Sequence, residues 1–346
     1  MCSPDVGDVF LDDIKQFPLT VESDLLNQLK MISALVQDIA AGNDRLFKSI
    51  DNMNGQSCFK ANKLGKKLIS VLRTGEAEFE YHFPIHTLNP YAELLFRCAA
   101  RAVDPYLPTY LHSILPHETQ LAVIALNQLV EDIRNEARSV DFQKLIRRFS
   151  RAEKKRTTSL DLYIDALFEK YSRLVVIRVD LAYKAGSFSG LGLNESLKQV
   201  KGNWASMQSS LHNNKPVRNL VGFACTLEYG YIKGFHFHLL AFYDGSIYRK
   251  DIVLARMIGM YWVEEVTDGR GIYYNCNKYK HRYRRLGIGV LNHHDFELID
   301  NLKHHVSSYL VKVDYWVRLL PRSGRSFFRG NMPRLDAVKK GRPRKT

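Results

Sequence analysis

The sequence has no C-x-x-C pair, and its five cysteines (Cys2, Cys58, Cys98, Cys225, Cys276) are odd in number and widely scattered. Zinc-binding and dithiol redox chemistry of the usual spacing are therefore not expected, and the thiols read as reduced, some of them in the core. No apolar run approaches the roughly 20 residues that span a bilayer, and no basic-then-apolar-then-small leader is present. The expectation is a soluble, intracellular protein with no membrane partner. There is no internal repeat. Acidic residues are scarce in one region: residues 270–346 hold 18 Lys and Arg against 5 Asp and Glu, whereas residues 1–150 hold 16 against 19. Most of the formal net charge of +14 thus lies at one end. A concentrated positive surface suits phosphate, because each neutralised phosphate releases counterions. No basic helix with a continuous apolar face accompanies it, so nucleic acid is preferred to an anionic membrane.

With 346 residues, 45% of them hydrophobic, the chain can bury more than one core. From Val21 to Ile39 apolar residues recur at spacings of three and four, and similar patterns cover Lys60–Leu72, Tyr91–Val103 and Glu118–Arg138. Pro84, Pro90, Pro105, Pro108 and Pro116 punctuate the gaps. Residues 1–150 therefore read as an all-helical domain. The charged run from Arg147 to Arg156 breaks the apolar pattern and reads as a linker or a solvated helix end, with residues 151–160 taken as a basic linker. After a helix at Leu160–Tyr171 the texture changes. Leu174–Leu181 is short and rich in β-branched residues, and residues 220–228 and 235–243 are two further strands joined by a hairpin. Helical patterns follow at Lys250–Glu264 and Phe296–Tyr315. The fold class is α+β, with a mainly antiparallel sheet flanked by helices over residues 161–329.

In Gly234-Phe235-His236-Phe237-His238-Leu239-Leu240, alternation puts Phe235, Phe237 and Leu239 on one face and both histidines on the other. If the hairpin folds symmetrically about Ile232, Glu228 lies opposite His236, with Cβ atoms on the order of 5 Å apart. Two imidazoles and a carboxylate on one patch can hold a divalent metal and leave positions open for phosphate oxygens. Phosphate chemistry favours Mg2+ or Mn2+, and the imidazoles tilt the choice toward Mn2+ or another transition metal in vitro. Alone, an H-x-H strand is more often a structural pair.

Downstream, Asn301–Val317 reads as a helix with Leu302, Val306, Leu310 and Val313 on its apolar stripe. Tyr309 and Lys312 are three apart and neighbour one another on its surface. A phenol has a pKa near 10 and needs a nearby cation to become a nucleophile, a role open to Lys312 and the metal. Tyr315 is a rival.

Taken in order, Arg178-Val179-Asp180 on a strand, Glu228, His236-Phe237-His238 and Tyr309-x-x-Lys312 resemble the HUH endonuclease superfamily. More narrowly, they are similar to the inovirus-type and prophage replication initiators with a YagK/YfjJ-type C-terminal domain. The surrounding Asp244-Gly245, Trp262, Thr267-x-Gly269-x-Gly271 and Asn275-x-Asn277 match as well. The resemblance covers about Leu160–Arg329. It implies that His236 and His238 bind the metal, with Glu228 as third ligand, and that Tyr309 attacks DNA to leave a 5′-phosphotyrosine and a free 3′-hydroxyl. Asp180 either orients a ligand or supports the sheet. The implied activity starts rolling-circle replication in the cytoplasm of a bacterial host, on single-stranded and origin duplex DNA, with the host replication helicase and polymerase as partners. A relaxase or transposase of the same superfamily, or a non-catalytic DNA-binding regulator, is the alternative. Arg282, Arg284 and Arg285 are expected to contact DNA. In the tail, residues 330–346, Lys340-Gly341-Arg342-Pro343-Arg344 resembles an AT-hook, so Lys340, Arg342 and Arg344 either enter an A·T-rich minor groove or form a basic tail for any polyanion.

Overall fold

The computed structural model describes residues 20–51, 57–82, 86–104, 107, 115–230, 233–307, 310, 317–319 and 325–334. They form two compact units, one centred on residues 19–152 and the other on residues 153–313. No helix among the described residues is long and apolar enough to cross a membrane.

In the first unit, the helices Thr20–Ala41, Lys63–Thr74, Pro90–Ala102 and Pro116–Arg138 bury one stripe each, bringing Leu29, Val36, Leu95, Leu126 and Leu129 into one core. Their starts follow from the sequence. Asn62 and Asn89 accept hydrogen bonds from the Gly65 and Tyr91 amides, and Pro90 occupies the first helical turn, where its missing N–H costs nothing. The unit is not all-helical, however. Strands β1 (Phe47–Asp51) and β2 (Ser57–Ala61) form an antiparallel hairpin, and β3 (His86–Leu88) pairs with β9 (Val317–Leu319). The hairpin strands have five residues each, too few for a period-2 signal to outweigh the adjacent helical pattern, although the Phe47 and Phe59 rings stack at 5.7 Å. Residues 151–160 are helical. They lie inside one helix, Val140–Lys170, since no proline or glycine interrupts it and its charges face outward at helical spacing.

The second unit is built on an antiparallel sheet of β4 (Arg173–Tyr183), β5 (Leu220–Gly230), β6 (Gly234–Asp244), β7 (Gly271–Asn275), β8 (Gly289–Asn292) and β10 (Phe327–Arg329). Its order is β10-β5-β6-β4-β7, with β8 pairing the first half of β4. The helices Leu193–His212 and Asp251–Tyr261 cover one face. Trp204 stacks on Phe237 at 5.2 Å, and Trp262 lies 5.5 Å from the same ring while donating to the Ala182 carbonyl. On the opposite face, Leu160, Tyr163, Ile164 and Leu167 join Leu302, Val306 and Leu310 against Leu174, Val176, Ala224, Leu240 and Phe242. That packing covers one half of the face. The other half carries Asp180, Glu228, His236 and His238.

The expected helix Asn301–Val317 is only partly realised. Phe296–Asn301 is α-helical, Leu302–Ser307 is a π-helical turn, and Val317 belongs to β9. Val313 lies outside the described residues.

Gly259 is where the helix Asp251–Tyr261 approaches β7, and a Cβ there would fall inside the Tyr273 ring. Alanine would gain about 1 kcal/mol of helix propensity, but overpacking costs about 1–3 kcal/mol and should win. Gly259→Ala is expected to lower the urea midpoint; an unchanged or raised midpoint would show that the helix can move off the strand.

Candidate metal centre

The hairpin register comes first, because it decides which side chains meet. Gly230 pairs with Gly234, and the ladder then places Glu228 opposite His236 and Thr226 opposite His238. The pairing of Glu228 with His236 inferred from the sequence is the one observed. On the other side of β6, Asp180 pairs with His238. Alternation puts all four side chains on one face, where Glu228 Oε2 lies 3.4 Å from His236 Nε2 and 3.3 Å from His238 Nε2. These are the facing nitrogens because the others are engaged. His236 Nδ1 donates to the Gly234 carbonyl at 3.0 Å, and His238 Nδ1 donates to Asp180 Oδ1 at 2.7 Å. A carboxylate behind a ligating imidazole fixes its orientation and raises its basicity, so Asp180 is a positioning residue. Arg178 Nε, 3.5 Å from the same Asp180 oxygen, balances that charge.

Glu228, His236 and His238 present ligand atoms within 4.8 Å of one another and can hold a metal ion. A further observation fits an ion. Glu228 Oε1 is buried with no hydrogen-bond partner among the described residues, a cost that metal coordination would remove. Without an ion, charge balance falls on the imidazoles. Burial opposes ionisation of Glu228, but His238 and His236 outweigh it and hold the carboxyl well below the usual carboxylate range. Burial also opposes a charged His238, yet Asp180 and Glu228 overcome it and push the His238 pKa up to about 9.

Beside the histidines the sheet opens into a cleft of about 740 Å3, whose lining includes Asp180, His236, His238, Tyr274, Phe188 and Lys184.

No family model, curated protein or solved structure matches this chain. The positions of the remaining candidate residues are therefore read from geometry alone. Tyr309, Lys312 and Tyr315 lie outside the described residues, as do Lys340, Arg342 and Arg344. The residue after Tyr309 is described: Leu310 is buried, and its carbonyl accepts a 2.6 Å hydrogen bond from Thr226 Oγ1. Thr226 is the cross-strand partner of His238, so Leu310 lies against the end of the sheet that carries Glu228, His236 and His238. Arg282, Arg284 and Arg285 are exposed in the segment after β7. Arg282 lies 4.7 Å over the Tyr279 ring, which stacks on Tyr274, and Arg285 donates to His305 Nε2 at 2.7 Å.

Thr226 and Tyr274 were not singled out from the sequence, and Arg178 entered only within the Arg178-Val179-Asp180 motif, without a role of its own. Thr226 was open to the same alternation that exposed Glu228. The other two become visible only once β4 is placed between β6 and β7. Conversely, Asn275 and Asn277 are buried struts. Asn277 donates to the Val176 carbonyl and to Asp251 Oδ2 while accepting from the Arg178 amide, and Asn275 donates to the Ile252 carbonyl. Thr267, Gly269 and Gly271 form the turn under Trp262, where a Cβ on Gly271 would strike Thr267 and Trp262.

Metal binding at this centre must displace the His238 proton, since only the neutral nitrogen is a ligand. The folded-state pKa is raised, so the proton is held until pH climbs through about 9. Apparent Mn2+ affinity should therefore fall by about tenfold per pH unit below that value, and Asp180→Asn, which removes a charge that holds the proton, should flatten that dependence. Isothermal titration over a pH series checks both. A pH-independent affinity would mean the ion does not bind through His238.

Proposed function

We propose that the chain is a metal-dependent DNA endonuclease of the HUH type, which cuts one strand through Tyr309 to start rolling-circle replication. The observation that carries this reading is the convergence of Glu228, His236 and His238 on one patch of sheet, with Asp180 behind His238. The Thr226–Leu310 hydrogen bond beside it supports the assignment of the adjacent Tyr309 as nucleophile. A structural role for the histidines, as in a non-catalytic regulator, would leave the buried Glu228 Oε1 without a purpose.

Glu228, His236 and His238 would hold Mg2+ or Mn2+, which polarises the scissile phosphate and neutralises charge developing on it. The protein's own groups do the rest. Asp180 fixes the His238 ring. Lys312 stabilises the Tyr309 phenolate after its proton leaves to solvent. The phenolate oxygen bonds to phosphorus, the bond from phosphorus to the 3′-oxygen breaks, and that oxygen takes up a proton. The products are a 5′-phosphotyrosine and a 3′-hydroxyl. The ester bond is conserved, so an incoming 3′-hydroxyl can reverse the step without an energy cofactor. Arg282, Arg284, Arg285 and the tail cations Lys340, Arg342 and Arg344 supply phosphate contacts that set the salt dependence of binding. Replication helicase and polymerase of the host would take over at the freed 3′ end.

Tyr309→Phe keeps the ring and removes only the attacking oxygen. With labelled single-stranded origin DNA and Mn2+, it should abolish both nicking and the covalent protein–DNA band on a denaturing gel, while Mn2+ affinity is unchanged. Lys312→Ala should slow cleavage by about 10²-fold without ending it. A surviving covalent band in Tyr309→Phe that is lost in Tyr315→Phe would move the nucleophile. No band from the wild type on any origin strand would sink the enzymatic reading.

A further inference from the structure

The chemistry at the histidines needs only a phosphate, yet the cleft beside them is larger and more apolar than a phosphate requires. Its volume is about 740 Å3. Asp180, His236, His238 and Tyr274 line it on the sheet side, and the aromatic rings of Tyr183, Phe188, Tyr229 and Phe235 form a wall with Lys184 and Lys233 nearby. The rings brace one another. Phe188 lies 4.8 Å from Tyr183 and 6.0 Å from Phe235, and Tyr229 lies 4.7 Å from Phe235. Phe188 is half-buried, so it both packs and faces the space.

The wall is an ordered loop. The Ser187, Ser189 and Leu191 amides donate to the Lys184, Gly186 and Phe188 carbonyls in three successive turns. Gly186 and Gly190 take φ of 78° and 80°, the left-handed region open to glycine. The loop is tied back to the edge of β7, where the Lys184 amide and Ser187 Oγ both donate to the Arg270 carbonyl. An aromatic wall held in place, cations at its rim and a metal-binding group on its floor suit a ligand that is flat and apolar at one end and anionic at the other.

We infer that this cleft binds one unstacked base of a single DNA strand, belonging to a nucleotide that adjoins the phosphate to be cut. The inference rests on the strand-transfer reading of the histidine centre. Base–aromatic stacking is tolerant of sequence and needs a free π-face, which a paired base inside a duplex does not offer. Phe188 is the stacking residue, and Lys184 and Lys233 contact the flanking phosphates.

The test compares a fluorescent oligothymidylate of roughly twenty nucleotides with an abasic oligomer of the same length, by anisotropy on the full chain freed of metal by chelation. The wild type should prefer the oligomer with bases by about tenfold or more. Phe188→Ala should erase the preference while binding the abasic oligomer as the wild type does, Phe188→Tyr should keep it, and Lys184→Ala should weaken both oligomers alike. Thermal melting and Mn2+ titration establish that each variant is folded. Equal binding of the two oligomers by the wild type, or an undiminished preference in Phe188→Ala, overturns the inference. Covalent adduct formation separates the two claims. An adduct without base preference removes the cleft alone, whereas a Phe188-dependent preference without any adduct keeps the cleft and removes strand transfer.

Discussion

A carboxylate taken out of water into a sheet is tolerated only beside positive charge, and here strand register decides what that charge is. The β5–β6 ladder brings both histidines to Glu228, and the β6–β4 ladder brings Asp180 to His238. One residue of slip in either ladder would turn the carboxylate to the opposite face, where Trp204 and Trp262 pack on Phe237, and leave it unpaired. The rest of the second unit follows from holding this register. The short hairpin at Gly230–Gly234 fixes one ladder. Asn277, bonded to Val176, Asp251 and Arg178 at once, fixes the central strand.

The centre holds two carboxylates against one imidazolium and Arg178 when no ion is bound. A divalent cation and a proton on His238 are thus competitors for one place in the charge balance. This gives a physical reason for Asp180 that does not depend on what the protein acts upon. It keeps the imidazole in one orientation and makes it basic enough to be worth deprotonating. The sheet separates these duties cleanly. Its aromatic face supplies cohesion, and its other face is half core and half polar centre, divided where the packing of Leu160, Ile164, Leu167 and Leu302 stops.

Much of the centre was legible in the sequence because strands are periodic and a short hairpin has only one symmetric fold. Two facts, alternation along Phe235–Leu239 and the position of Ile232, were enough to place Glu228 by His236. The role of Asp180 stayed open because nothing in the spacing of β4 tells which strand it will lie beside. The helix Leu193–His212 and the strands β7, β8 and β10 were passed over. Three of them are strands of five residues or fewer, whereas the helix does carry a stripe at helical spacing, Leu197, Val200, Trp204, Met207 and Leu211, that periodicity could have found. The hairpin Phe47–Ala61 was missed, and residues 151–160, read as a linker or a solvated helix end, run through as helix. A helical pattern bleeds into adjacent strands, and a run of like charge says more about solvent than about backbone. Phe188 escaped notice because a loop of glycines and serines has no period to read.

The π-helical turn at Leu302–Ser307 has a consequence for how such a centre changes by descent. A π turn holds one residue more than an α turn, so whatever follows it is rotated by roughly 100° relative to an uninterrupted helix. Gain or loss of a single codon in this turn would therefore shift Leu310, whose carbonyl accepts from Thr226, relative to the sheet while leaving the sequence of every strand unchanged. The patch of Glu228, His236 and His238 and the turn that precedes Leu310 are, in that sense, separately heritable parts, and their relative aim is adjustable in one-residue steps.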